Sequence, residues 1–194
     1  MTHRHNRFSI THEEINELPL GAFKGKVVIV SEDKNVSRAF TEITEHSVVG
    51  FDTETKPVFV RGHQNKVSLM QIATYDTVFL IRLKFTGMHP AIIHFLEDKN
   101  ILKAGVALRD DIKALQRLKN YEPRGFIELA ELSKQAGLQV ESVKKLTALL
   151  LGFRISKSAQ TSNWEAESLN EKQISYAATD AWVCLEIYKK LLNQ

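Results

Sequence analysis

Val48-Val49-Gly50-Phe51-Asp52-Thr53-Glu54-Thr55 joins four apolar or small residues to two acids. The apolar part is β-prone and has the composition of a strand buried on both faces. Side chains alternate along a strand, so Asp52 and Glu54 point the same way. Two carboxylates side by side at the end of a buried strand repel each other, and burial penalises both. A proton on one of them, or a cation between them, relieves the repulsion. Hard divalent ions such as Mg2+ take oxygen ligands of this kind.

Two further groups of acids could join the pair. Arg109-Asp110-Asp111 follows a strand ending at Val106. Functional groups of α/β sheets collect at the carboxyl ends of strands, so either aspartate could face Asp52. Helical spacing sets Asp111 one turn before Leu115, beside the apolar stripe, and leans Asp110 towards solvent. Both would also suit the start of a helix with no further role. Tyr176 and Asp180 lie four residues apart in a final helix and share a face. The residues between them are small, which lets a helix approach a sheet closely. Taken alone, such a pair is ordinary on a helix surface.

The elements that must position these groups read as one α/β domain with a mixed sheet. Thr11-His12-Glu13-Glu14 is a capping box for a short helix that Pro19 and Gly21 end. A strand at 25–30 and a helix capped by Ser31 or Asp33 follow. The acidic strand comes next, then a loop through Pro57, Arg61-Gly62 and His63-Gln64-Asn65. Two β-prone runs, 67–73 and 77–81, are linked by Thr74-Tyr75-Asp76, a hairpin turn. With the acidic strand they make a three-stranded antiparallel meander. A helix over 90–97, a strand over 101–106 and a helix through Leu108, Ile112, Leu115 and Leu118 come next. Ile127-Glu128-Leu129 opens a helical stretch that Gly137 stops. Ser142 starts a helix that ends at Gly152. Residues 153–164 lack periodicity, and Asn170 or Ser168 caps a long last helix. Residues 1–22 read as an N-terminal extension and 23–194 as the domain.

The 194 residues suffice for one sizeable core, and 43% apolar with 25% charged residues is an ordinary globular balance. Net charge is +3; setting four clustered carboxylates aside leaves +7 elsewhere, which suits a polyanionic partner. The single cysteine, Cys184, excludes an intrachain disulfide and a cysteine-based zinc site, and its apolar surroundings read as core. No apolar run is long enough to span a membrane, and the start has no signal-peptide core. An intracellular protein is expected, cytoplasmic and nucleoid-associated if bacterial. The tract His3-Arg4-His5-Asn6-Arg7 reads as a tail or leader.

Taken in order, the acidic groups resemble the signature of the DEDD superfamily of 3′→5′ exonucleases. The signature is Asp-x-Glu on a buried strand, Asp at the head of a later helix and Tyr-x-x-x-Asp in the last helix. The tyrosine marks the DEDDy branch. The likeness runs from about Val27 to Leu191, with Werner-type exonuclease domains and ribonuclease D as its nearest looks. Lys66-Val67-Ser68-Leu69-Met70-Gln71-Ile72-Ala73, Ser162-Asn163-Trp164 and Ile174-Ser175-Tyr176-Ala177-Ala178-Thr179-Asp180-Ala181 carry it further.

The resemblance implies an RNase H-like fold with a five-stranded mixed sheet flanked by helices. It places the catalytic and metal-holding acids at Asp52, Glu54, Asp111 and Asp180, with Tyr176 as the branch tyrosine. Asp111 follows Gly105 by six, as in the family, which selects it over Asp110. It further implies two Mg2+ or Mn2+ ions. Asp52 would bridge both, Glu54 and Asp180 would hold the one beside the nucleophile, and Asp111 would hold the other through water. Tyr176 would orient the attacking water.

The partner would be nucleic acid with a single-stranded or recessed 3′ end, DNA favoured; any helicase or repair partner stays unnamed. An RNase D-like exoribonuclease and a catalytically silent nucleic-acid-binding module are the alternatives. Candidate strand contacts are Thr53, Leu69, Met70, Lys157, Ser158, Asn163 and Trp164. Core packing competes for Leu69 and Met70, and a packing anchor for Trp164.

Overall fold

A computed structural model describes residues 8–57 and 65–193. In chain order the elements are α1 (His12–Glu17), β1 (Lys26–Val30), α2 (Asp33–Ile43), β2 (Val48–Thr55), β3 (Val67–Ala73) and β4 (Thr77–Ile81). Then come α3 (Leu83–Thr86), α4 (Pro90–Glu97), β5 (Leu102–Gly105), α5 (Leu108–Gln116), β6 (Phe126–Glu128) and α6 (Leu129–Gln135). Last are α7 (Val143–Leu146), a π-helical turn (Thr147–Leu151) and α8 (Glu171–Leu192). The loop expected around Arg61 and the tract His3–Arg7 fall outside the described residues, the first of them in large part.

The six strands form one sheet in the order β1-β4-β3-β2-β5-β6. β2, β3 and β4 are the expected antiparallel meander, and β1, β5 and β6 each run parallel to a neighbour. The sheet thus has six strands where five were expected. The sixth, β6, occupies the segment read as the opening of a helix. Only three residues pair with β5, and α6 begins at the next residue, so no strand alternation has room to develop.

Every residue of β3 and β4 is buried, which explains their unbroken apolar runs. One sheet face, carrying Phe51, Met70, Ile72 and Phe79, packs on α2, α4 and α5 through Phe40, Phe95 and Leu115. The other face, carrying Leu69, Ala73, Val78 and Leu80, packs on α8 through Ala177, Ala178 and Ala181. The capping box at Thr11 and the Asn170 cap of α8 form as expected. α2 starts after Glu32 with no side-chain cap. Residues 18–23 tie into the body: Arg154 Nε donates to the Leu18 carbonyl at 3.0 Å, and the Phe23 amide donates to Thr179 Oγ1 at 3.1 Å.

Candidate active site

The acids meet because α8 lies almost in contact with the backbone of β2. A Cβ built on Gly50 would sit 2.0 Å from the Ala181 carbonyl oxygen and 2.9 Å from the Leu185 amide nitrogen. Only hydrogen fits there. Ala177, Ala178 and Ala181 supply the matching small surface on the helix. This close approach brings Asp180, one residue before Ala181, to Asp52 and Glu54. One carboxylate oxygen from each of the three lies within 4.8 Å of the others.

The three acids open on a cleft of about 280 Å³, floored by Cys184 and Val106 and flanked by Val143, Gln160 and Tyr176. Asp52 and Glu54 face the cleft partly exposed, whereas Asp180 is buried. Burial, together with the charges of Asp180, Asp111 and Glu54, pushes the Asp52 carboxyl well above the ordinary range. Burial, then Asp180 and Asp111, pushes Glu54 up to about 8. Asp180 is also raised by burial; a hydrogen bond from Tyr176 and the positive charge of Lys157 work against that rise. Burial and the same carboxylates drive the Tyr176 hydroxyl far above its usual value. The hydroxyl therefore keeps its proton at neutral pH.

Asp111 stands outside the close group of three. It lies half-buried in the first turn of α5, while Asp110 is exposed. Thr53, on the strand face opposite its acidic neighbours, donates its hydroxyl to Asp111 Oδ1. The Asp111 carboxyl is pushed up to about 6, by burial first and with the Thr53 bond opposing. Thr53, expected to touch nucleic acid, thus bonds the fourth acid.

The turn before Asp111 is unusual. Ala107 caps α5 in the left-handed region, with φ +60°, and is the one non-glycine residue of positive φ among those described. An alanine there is strained. Glu128, the last residue of β6, answers that turn. Its carboxylate accepts from the amides of Ala107 and Leu108 at 3.1 and 2.9 Å, and from Ala130 in α6 at 3.2 Å. One side chain therefore caps two helices. No spacing rule in the sequence reveals this role, because residues 107 and 128 meet only through the β5–β6 pairing.

The remaining expected contacts divide. Leu69 and Met70 have no exposed surface and sit on opposite sheet faces in the core. Trp164 is likewise 0% exposed and packs its ring 6.0 Å from that of Tyr176. No base can stack on these three as they stand, and their place is in packing; Trp164 backs the tyrosine. Lys157, Ser158 and Asn163 are exposed, on the loop that borders the cleft. The Asn163 carbonyl accepts from Gln173 Nε2 at 3.2 Å, which ties that loop to α8. No motif or spacing pointed to Gln160 or Val143 at the cleft. Val143 leads into the π-helical turn Thr147–Leu151, a distortion often found at functional sites.

The residues fit a divalent cation. The donors are hard carboxylate oxygens, and Asp180 Oδ1 is buried with no hydrogen-bond partner. A buried acceptor without a donor is costly and calls for a positive charge.

Fold and site together define an RNase H-like nuclease. A family model described as 3′-5′ exonuclease matches residues 27–194, and the chain belongs to that family. It is 31% identical over 188 residues to the mouse bifunctional 3′-5′ exonuclease/ATP-dependent helicase WRN, covering 92% of this chain and 13% of that protein. It is 31% identical to the human exonuclease 3′-5′ domain-containing protein 2, covering 88% of this chain and 30% of that protein. The chain thus spans under a third of the length of these relatives. Among solved structures, the Nibbler EXO domain of Aedes aegypti superposes with a TM-score of 0.76 at 28% identity, covering 86% of this chain and 87% of that one. Escherichia coli RNase D superposes at 0.78 and 22% identity, over 87% and 44% of the two chains, a likeness of fold.

Proposed function

We propose that this chain hydrolyses the terminal phosphodiester bond of a polynucleotide 3′ end, with DNA the favoured substrate, using divalent metal held by its acids. The observation that carries this reading is the carboxylate triad of Asp52, Glu54 and Asp180, with its orphaned buried oxygen. The triad lies in a chain of the 3′-5′ exonuclease family.

Asp52, Glu54 and Asp180 would hold one ion, and Asp111 would complete the set from α5. Mg2+ or Mn2+ bound there would supply positive charge to the scissile phosphate, acidify the attacking water and stabilise the leaving 3′ oxygen. The protein's own part is position. Glu54 and Asp180 fix one side of the cleft, and Gly50 keeps α8 close enough for them to meet. Tyr176 keeps its proton, so it acts as a hydrogen-bond partner that orients water rather than as a base. Lys157, whose charge reaches Asp180, would meet the phosphate of an entering strand.

The test is degradation of a 5′-labelled single strand and of a recessed-3′ duplex, as DNA and as RNA, with Mg2+, Mn2+ or EDTA. A ladder shortening from the 3′ end, dependent on metal and lost in Asp52→Ala, is the expected result, and its relative rates rank DNA against RNA. Strand binding with no ladder on any substrate would instead support the silent binding module.

A further inference from the structure

A second cavity, of about 440 Å³, is larger than the acidic cleft and opposite to it in charge. Its rim carries Lys66, Lys84 and Lys119, all exposed. Its floor is apolar, formed by Leu83, Met88 and Leu118. Among the described residues, none of the three lysines is in an ion pair. The one carboxylate at the rim, Glu165, lies 3.5 Å from Lys56, which partly neutralises it. Two ammonium groups outside any ion pair, with Lys84 held at the rim by the Glu165 carbonyl, stand around an apolar floor and make a site for phosphates with a flat apolar group between them.

Its place in the fold connects it to the acids. Val67, another lining residue, pairs across the sheet with Thr55, and Leu69 pairs with Glu54. Along the sheet, two residues of strand, about 7 Å, separate the cavity wall from the level of the acid pair, with the acid pair on the α8 face and the cavity on the α5 face, where Thr53 bonds Asp111. Val67, Met88 and Leu118 lie on the same sheet face as the α5 helix that bears Asp111.

We propose that this lysine-rimmed cavity holds the substrate strand on the 5′ side of the scissile bond. Its lysines would take backbone phosphates and its floor one base. The proposal rests on the exonuclease reading of the acidic cleft. An enzyme that removes 3′-terminal nucleotides meets the rest of its substrate only on the 5′ side. Lysines act on phosphate as point charges and carry no base preference, so the grip is independent of sequence. The same charges would add to those of the metal and Lys157 in drawing a polyanion towards a cluster of acids.

The test compares wild type with Lys66→Ala/Lys119→Ala. Lys84 is left intact because its ammonium also bonds the Glu165 carbonyl at 2.6 Å. Both altered side chains are exposed, so the fold is retained. Binding of a labelled single strand, DNA and RNA in separate arms, is measured in Ca2+ against salt. The double variant should lose about tenfold or more in affinity at low salt, and its salt slope should fall by about 1.4, near 0.7 per lost phosphate contact. Lys66→Arg/Lys119→Arg should bind as wild type.

In Mg2+, hydrolysis of the p-nitrophenyl ester of thymidine 5′-monophosphate, which is too small to reach the rim, should be unchanged in the double variant. Unchanged strand affinity and slope would overturn the proposal. If wild type cleaves neither strand nor ester, the exonuclease reading fails, and the binding arm still decides the cavity. Loss of affinity there supports the grip, and no loss removes it.

Discussion

Tyr176 is packed between Trp164 and a carboxylate cluster that holds its hydroxyl protonated. Its contribution must then come from hydrogen bonding to water or to Asp180, which removal of the oxygen alone should expose. Tyr176→Phe is expected to lower kcat by roughly 10²–10⁴ while leaving metal affinity near wild type. Steady-state rates on a short strand, with metal titrated separately, check this; a wild-type kcat would take the tyrosine out of the mechanism. Asp52 raises the opposite issue. It sits among three other acids, and burial together with their charges raises its proton affinity. Asp52→Asn should abolish turnover yet raise the melting temperature of the metal-free protein near pH 8, by scanning calorimetry, because one buried repulsion is gone. A lowered melting temperature would show that the carboxylate is structural. At this scale the sequence was most legible. Asp-x-Glu on a strand fixes a shared face by pleat alone, and Tyr-x-x-x-Asp does the same by helical rise. What it could not show is what the side chains between and beside them touch. Thr53 turned out to hold Asp111, and Trp164 to back Tyr176 from the core.

At the scale of elements, the site depends on two contacts that no local pattern encodes. The first is Gly50 beneath α8. Gly50→Ala places a methyl carbon where the Ala181 carbonyl oxygen stands, so the helix must lift from the sheet. The expected cost is about 1–3 kcal/mol in urea unfolding, with a fall in kcat because Asp180 moves with the helix. Retained stability and rate together would mean that α8 has slack at this point. The second is Glu128, which closes the left-handed turn at Ala107 and fixes the helix that bears Asp111. Glu128→Ala should destabilise by about 1–2 kcal/mol, the range for a lost helix cap, and weaken Mg2+ activation by displacing Asp111. If activity against metal concentration stays at wild type, Glu128 serves stability alone. Most elements were legible from apolar period and caps, down to the capping box at Thr11 and the Asn170 cap of α8. β6 was not, because a three-residue strand running straight into a helix shows no period.

For the whole molecule, the acidic cleft sets a conflict between folding and function that pH and metal should reveal. Glu54 is raised from near 4.5 to about 8, Asp111 from near 3.8 to about 6, and Asp52 and Asp180 in the same direction. A raised carboxyl means that the folded protein binds more protons than the unfolded chain across the interval between the two values. Stability then falls as pH rises through that interval and levels off above it. In EDTA, the melting temperature should therefore decline from about pH 5 to about pH 8. Mn2+ or Mg2+ should oppose the decline by replacing the protons, and most strongly at the alkaline end, where the acids are ionised and ready to bind. Metal binding near pH 7 should release protons, which calorimetry in buffers of different ionisation enthalpy measures directly. The Glu54→Gln variant should show a shallower decline and bind metal weakly. A melting temperature in EDTA that rises over this range would mean that other groups outweigh the cluster. Metal binding without proton release would mean that the acids are ionised before the ion arrives, and that the protein rather than the cation bears their repulsion.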